Sequence, residues 1–407
     1  MATLLAYTSP AAGHAFPLVP GLLALRARGH DVHVRTAAGL VEPLRAAGLA
    51  AEAVDPAIEA LAAGGERDGV RGELRHQLRR ARLDAADLDR VTGELDPDAV
   101  IVDVAAWGAT VAAEASGRPF ALSNPYLSPL PAPGRPPFGP GLAPRGGPAG
   151  SVRDAVARAL VRHAGSHAVL PTLNALRAAR GLPPVRDVLA HLGRPQIVLQ
   201  LSGGPLEPPR PSPPASLRLV GLQRWDPASS AAAPAWLDEP GDPWVLVTCS
   251  TDRQRDGALA AAAIEAFRDE PVRLLVTLGA AARDPDLPAA PNARVAAFLP
   301  HAPVLARAAA VVCHGGMGIV GKALGAGVAL VVVPYGRDQP EVAARVEAAG
   351  LGARVRPDGL TPATLLAAYR RAQDRRPAVQ KEAAAMATMD AAGAFADAAE
   401  ELLSERG

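Results

Sequence analysis

Ala310-Val311-Val312-Cys313-His314-Gly315-Gly316-Met317-Gly318 decides the fold. Its first four residues form an unbroken apolar run, as a strand buried on both faces requires. The glycines end the strand and lead directly into a helix. A glycine-rich turn between a buried strand and a helix lets backbone N–H groups approach an anion at the helix N-terminus. The stretch is not a Walker A loop, since the distal Gly-Lys-Ser/Thr is missing, and it is not G-x-G-x-x-G. A histidine just before the glycines can donate to a phosphate oxygen, which a purely structural turn would not need. The segment reads as a phosphate site on a parallel α/β sheet.

The same alternation extends outward from this segment. Strands are expected near 244–249, 272–277, 294–297, 310–313 and 329–333, with helices between them and a helical end over about 361–403. There Met386, Met389, Gly393, Ala396 and Ala399 could form a packing stripe. Residues 222–243 lose all periodicity and read as a linker. Before them lies a second series. Strands at 4–7, 32–34, 99–102, 120–123, 196–201 and 217–220 alternate with helices near 18–25, 40–47, 70–93 and from Gly108. Strand–helix alternation marks parallel sheets. Asn124–Gly150 holds nine prolines and six glycines and is expected to be an irregular loop at a strand's carboxyl end. Ligands of open α/β sheets bind at that edge. The expected domains are 1–221 and 244–407, joined by 222–243, with the final helix packing back on the first domain.

Composition narrows the function classes. The chain has 407 residues, 42 basic against 41 acidic, with 49% hydrophobic and 3% aromatic residues. Near-neutrality removes the electrostatic case for binding nucleic acid or an anionic membrane. So few aromatics argue against a base-stacking platform. The uncharged run Ala323–Gly336 is too short to span a bilayer, and prolines break the uncharged Met1–Leu25. Two cysteines, Cys249 and Cys313, cannot make a disulfide framework and read as buried apolar residues in a cytoplasmic protein. His163 and His167 stand one helical turn apart without a third ligand and read as a solvated helix face.

Two further groups carry chemistry. His14 follows Gly13 on the first sheet-edge loop, a place for a general base. Asp103 ends the strand Val100-Ile101-Val102 and could orient that base from the same edge. No Gly-x-Ser-x-Gly elbow offers a protein nucleophile. Asp338-Gln339-Pro340 follows the strand after the glycine turn. A carboxylate beside an amide suits vicinal sugar hydroxyls, and a helix cap by Asp338 is the plainer alternative.

These elements are Gly13-His14-x-x-Pro17, Arg28-Gly29-His30, Asp103, Leu299-Pro300-His301-x-x-Val304-Leu305, His314-Gly315-Gly316-x-Gly318 and Asp338-Gln339-Pro340. In this order they resemble the GT-B glycosyltransferases of the UDP-glucuronosyltransferase-like superfamily, above all the actinobacterial enzymes that glycosylate natural products. The resemblance implies two Rossmann-like domains facing each other across a cleft, and an inverting, metal-independent sugar transfer with no cofactor. His14 would act as base with Asp103 behind it. His314, Gly315, Gly316, Gly318, Ser250 and Thr251 would hold the diphosphate. Phe298, Leu299, His301 and Lys322 would border base and ribose, and Asp338 and Gln339 the sugar. The substrates would be a small aglycone and a nucleotide sugar. A homodimer stays open. The pocket for the aglycone would be shaped by the proline-rich loop and the helices at 151–180, with Asn124, Phe138 and Trp107 as lining. Trp107 reads equally well as core.

Two positions depart from the family pattern. The family usually continues the glycine turn as Gly-Thr/Ser-x-x-Glu, and here Ile319 and Lys322 stand instead. A lysine ammonium has no acceptor for ribose hydroxyls. Thymidine's deoxyribose has one hydroxyl fewer, so a dTDP-linked deoxysugar is expected over a UDP-sugar. A sugar-nucleotide epimerase or a noncatalytic partner protein remain alternatives at this point.

Overall fold

The computed structural model describes residues 1–63, 69–132, 134–207, 210–227, 234–250, 256–279 and 287–404. Its strands are β1 (Thr3–Tyr7), β2 (Asp31–Thr36), β3 (Ala50–Ala53), β4 (Ala99–Asp103), β5 (Phe120–Asn124), β6 (Ile197–Gln200) and β7 (Leu217–Leu219), followed by β8 (Trp244–Thr248), β9 (Arg273–Thr277), β10 (Ala293–Ala296), β11 (Ala308–Cys313), β12 (Ala329–Val332) and β13 (Gly352–Arg354). The first seven form one sheet in the order β3-β2-β1-β4-β5-β6-β7, and the other six a second in the order β10-β9-β8-β11-β12-β13. Neighbouring strands run parallel throughout. The two-domain α/β reading is therefore met.

Strand order places the chemistry. In each sheet the order reverses once, between β1 and β4 and between β8 and β11. Connections there leave toward opposite faces, which opens a crevice beyond the carboxyl ends. His14 and Asp103 follow or end β1 and β4. Ser250 and His314 follow β8 and β11.

Several boundaries differ from the sequence expectation. The helix expected at 70–93 is two helices, Gly69–Arg79 and Ala81–Leu95. Helix Gly147–Ala178 begins inside the stretch expected to be loop. Once Gly147 has turned the chain at φ +78, Pro148 fits the first turn, where its missing N–H costs nothing. The short edge strands β3 and β13 were not anticipated, and the helical end is three helices, Pro362–Gln373, Arg376–Ala387 and Ala391–Ser404.

The last helix belongs to the first sheet's core. Phe395, Ala396, Ala399 and Leu402 pack with Leu18, Leu22 and Leu25. A Cβ on Gly21 would lie 2.2 Å from the Phe395 ring, so this close approach requires glycine. His30 and Arg28 fasten the same helix through Glu400, at 2.9 and 2.8 Å. Arg-Gly-His at 28–30 is thus a tether for the chain's end. The anticipated stripe divides: Ala396 and Ala399 are buried there, Met386 leans on the second core, and Met389 is 51% exposed.

The segment between the sheets is packed. Trp225 meets Phe16 edge-on in the first core, while Leu222 and Trp236 pack on the second. Residues 228–233 of the expected linker lie outside the described residues. Among the described residues no helix is long and apolar enough to cross a membrane.

Candidate active site

His14 sits in the short helix Ala12–Ala15 beyond β1, and Asp103 is the last residue of β4. Because β1 and β4 are adjacent, the two side chains meet: His14 Nδ1 lies 2.9 Å from Asp103 Oδ2. The carboxylate is fully buried, and its other oxygen accepts the Ala105 N–H at 2.9 Å. Both oxygens are engaged, so the imidazole tautomer is set: Nδ1 carries the proton and Nε2 presents a lone pair. Beneath the pair, the Arg80 guanidinium donates to Ser9 Oγ at 2.5 Å and to the Ala105 carbonyl at 2.8 Å. It fastens the loops that carry the two residues.

One residue here escaped the sequence reading. The Tyr126 hydroxyl lies 3.0 Å from His14 Nε2, with the rings edge to face at 5.2 Å. Its backbone is held on both sides. Asn124 Oδ1 accepts the Tyr126 N–H at 3.1 Å, and Gln200 Nε2 donates to the Tyr126 carbonyl at 2.5 Å. Burial, followed by the charges of Asp338, Asp103 and Glu73, pushes the phenol well above its usual range, with Arg337 opposing. The signal that could have found it is its place just past β5, the strand beside β4.

The glycine turn is built as its sequence suggests. Gly315 takes φ +94, where a Cβ would also press on Val332 Cγ1 at 2.7 Å. A Cβ on Gly316 would lie 2.6 Å from His314 Nε2, so the missing side chain leaves room for that ring over the turn. Gly316 caps the helix Met317–Gly325 without a side-chain bond, and Gly318 is exposed in its first turn. The N–H groups and positive dipole end of this helix are suited to an anion. Ser250 is buried nearby in sequence to β8, its N–H donating to Asp256 Oδ2 at 2.5 Å. Thr251 lies outside the described residues.

Asp338 and Gln339 follow β12. Asp338 does not cap the helix Gln339–Ala348 with its side chain, so the plain capping reading fails. Burial pushes its carboxyl up to about 6, while Arg337 and His14 pull the other way. His14 of the first sheet's edge is thus close enough to act on the Asp338 carboxyl of the second's. Gln339 is buried, and its Oε1 accepts the N–H groups of Tyr335 and Gly336 at 2.8 and 3.2 Å. Its oxygen therefore shapes the loop that presents Asp338.

The expected base and ribose residues separate into two kinds. Phe298 is 70% exposed and Leu299 leans on the second core. His301 Nε2 lies 3.2 Å from Thr277 Oγ1, and burial, with Lys322 and His314, brings its ring down to about 4, keeping it neutral. Lys322 pairs with Asp226, which the segment between the sheets supplies.

The anticipated aglycone pocket needs correction. Trp107 is core: it is buried, donates to Gln77 Oε1 at 2.9 Å and stacks on His191. Asn124 is buried too, with its amide donating to Gln200 Oε1 at 2.9 Å, and it supports Tyr126 rather than lining a pocket. Phe138 crosses over and packs on the second core. His163 and His167 stack on each other on the exposed side of their helix. Among the described residues no three histidine, cysteine or acidic side chains gather as a metal site.

Comparison with known proteins accords with this geometry. Residues 264–402 match the family described as Erythromycin biosynthesis protein CIII-like, C-terminal domain. The chain is 30% identical to glycosyltransferase GtfE of Amycolatopsis orientalis, over 95% of this chain and 94% of that one. It is 29% identical to 4'-demethylrebeccamycin synthase of Lentzea aerocolonigenes, over 92% of each. The glycosyltransferase VinC, solved in complex with dTDP, superposes with a TM-score of 0.68 at 22% identity over the whole of both chains.

Proposed function

This chain belongs to the GT-B glycosyltransferases of natural-product pathways, and we propose that it moves a deoxysugar from a dTDP donor to a hydroxyl of a small aglycone, with inversion and without a metal. The observation that carries the reading is the His14–Asp103 pair at 2.9 Å at one sheet's switch point, with His14 close enough to act on the Asp338 carboxyl of the other sheet's edge.

The chemistry follows from the groups in place. The aglycone hydroxyl gives up its proton toward His14, and Asp103 stabilises the imidazolium that forms. The acceptor oxygen forms its bond to the anomeric carbon as the bond to the diphosphate oxygen breaks on the far side. The leaving diphosphate gathers negative charge beside His314 and the uncapped N–H groups at Met317, Gly318 and Ile319. Preorganised dipoles there act where the charge develops and cost no rearrangement. Asp338 accepts from sugar hydroxyls, and Gln339 keeps its loop in shape. The dTDP preference is supported by Lys322, which offers no acceptor to a ribose 2'-hydroxyl, and by the dTDP found in VinC.

The test is turnover of dTDP- and UDP-hexoses with phenol and alcohol acceptors in the presence of a chelator, with the product's anomeric configuration read by NMR. His14→Ala is expected to slow transfer by about 10²–10⁴-fold while dTDP binding is kept. His314→Ala is expected to weaken dTDP binding and slow transfer together. Retained anomeric configuration, or strict dependence on added divalent metal, would refute the mechanism.

A further inference from the structure

We propose that Tyr126 is a catalytic residue that relays the acceptor's proton to His14, an inference that rests on His14 being the base. Tyr126 and His14 meet at 3.0 Å through the hydroxyl and Nε2. With Nδ1–H donating to Asp103, Nε2 is an acceptor, and the Tyr126 O–H is the group that fills it. The lone pair that must receive the proton is thus already occupied. An acceptor hydroxyl has two routes: displace the tyrosine, or donate to the phenolic oxygen, which keeps acceptor capacity while its proton points at His14.

Displacement is opposed by the way Tyr126 is held. Its carbonyl and N–H are pinned by Gln200 and Asn124. Gln200 is in turn bonded to Ser202 Oγ at 2.8 Å, and both are fully buried. The ring lies edge-on to the imidazole, and His14 is only 13% exposed. Tyr126 also lies near carboxylates of both sheets, Asp103 of one and Asp338 of the other. Its phenolic oxygen is held at the base itself, 3.0 Å from Nε2.

The step balances without any further reagent. The acceptor O–H bond breaks and its proton passes to the Tyr126 oxygen. The Tyr126 proton passes to His14 Nε2, giving an imidazolium against Asp103. The acceptor oxygen's electron pair forms the bond to the anomeric carbon, and the diphosphate leaves with the pair of the bond it loses. Tyr126 ends as neutral as it began. Burial and three nearby carboxylates hold its phenol well above the usual range, so a free phenolate is costly and the two transfers are concerted.

The experiment compares Tyr126→Phe with wild type, using dTDP-glucose and two acceptor probes, cyclohexanol and 4-nitrophenol, with donor hydrolysis by water as a third readout. The relay predicts a loss of about 10²-fold or more with cyclohexanol and water. It predicts a much smaller loss with 4-nitrophenol, which needs little help to ionise, and unchanged dTDP affinity. In ¹⁵N NMR the His14 Nε2 signal should move toward a free lone pair on substitution. A Tyr126→Phe enzyme as fast as wild type, or faster, with cyclohexanol and water would overturn the relay and make Tyr126 a cover over the base. An unmoved Nε2 signal would overturn it as well. His14→Ala separates the two readings. If His14→Ala is slow while Tyr126→Phe is fully active, the relay alone fails; if His14→Ala is fully active, the base assignment itself fails.

Discussion

Arg345 Nη2 donates to the backbone carbonyl of Ser128 at 3.0 Å, joining the helix after Asp338 to the loop after β5. The same guanidinium reaches the Leu206 carbonyl at 3.0 Å, Glu207 Oε2 at 3.3 Å and Glu341 Oε1 at 2.8 Å. Glu207 also accepts the Ser128 N–H at 2.7 Å. One buried arginine thus fixes the second domain against the loop that carries Tyr126 and the loop that follows β6.

Arg345→Met is expected to be severe. It removes the arginine that pairs with buried Glu341 and with Glu207, leaving Glu207 the weaker ion pair with Arg210 at 3.4 Å. Breaking a buried pair from one side costs about 3–5 kcal/mol, because the remaining charge is stranded. Urea unfolding would read the loss. Arg345→Lys keeps the charge but not the fork, so it should fall between the two. A Met variant within about 1 kcal/mol of wild type would mean the domains are held elsewhere.

The Asp338 carboxyl gives the sugar half of the site a pH dependence. Burial pushes it up from 3.8 to about 6 in the folded protein. Below that value it is protonated, and above it the carboxylate accepts from sugar hydroxyls. Calorimetry of dTDP-glucose between about pH 5 and about pH 8 should show affinity rising through about 6. Binding of dTDP alone should not rise in the same way, and Asp338→Asn should flatten the curve. The stability effect has the opposite sign. A folded-state value above the unfolded one contributes stability below about 4 that is lost as pH rises toward 6.

Gly141 tests whether the proline-rich loop positions the sugar site. It holds φ +62, and a Cβ there would lie 2.2 Å from the Pro340 carbonyl oxygen, two residues from Asp338. Arg354 Nη1 donates to the Gly141 carbonyl at 2.7 Å and keeps it in place. Gly141→Ala should cost about 1–3 kcal/mol from strain and raise the KM for nucleotide sugar. Gly134 is the control, since it has φ +69 but nothing within 4 Å of a Cβ. Gly134→Ala should carry the backbone cost without the change in KM.

What the sequence disclosed follows its local patterns. Buried parallel strands are continuous apolar runs, so β4, β8 and β11 are plain in the sequence, whereas β3, Ala-Ala-Glu-Ala, carries no such run. Asp103 ends a strand, His314 directly follows one, and His14 lies on the first loop after β1, so the sequence could assign all three to sheet edges. Tyr126 could not be placed, because its role depends on β5 lying beside β4 and on Asn124 and Gln200, far apart in the chain, pinning one turn. Of the two readings left open for Trp107, lining or core, the structure takes the core one for a related reason. An aromatic residue just past a strand looks like a pocket wall until Gln77 and His191, from two other helices, close over it. The partner of Lys322 was hidden in the segment without periodicity.

That partner sharpens the expectation for the sugar donor. Lys322 is tied to Asp226, and His301 feels both charges. Wild type should bind dTDP more tightly than UDP, because the ammonium gives a ribose 2'-hydroxyl no acceptor. Lys322→Glu supplies one, worth at most about 1.5–3 kcal/mol for a hydrogen bond to a charged group. In the single variant, however, the new carboxylate faces Asp226, and like charges at such range offset part of that gain. The full gain in UDP affinity should therefore appear only in Lys322→Glu with Asp226→Asn. Calorimetric titration of UDP and dTDP against wild type, both single variants and the double variant measures the coupling directly. A wild type that prefers UDP, or a double variant no better for UDP than the single one, would remove Lys322 from donor selection.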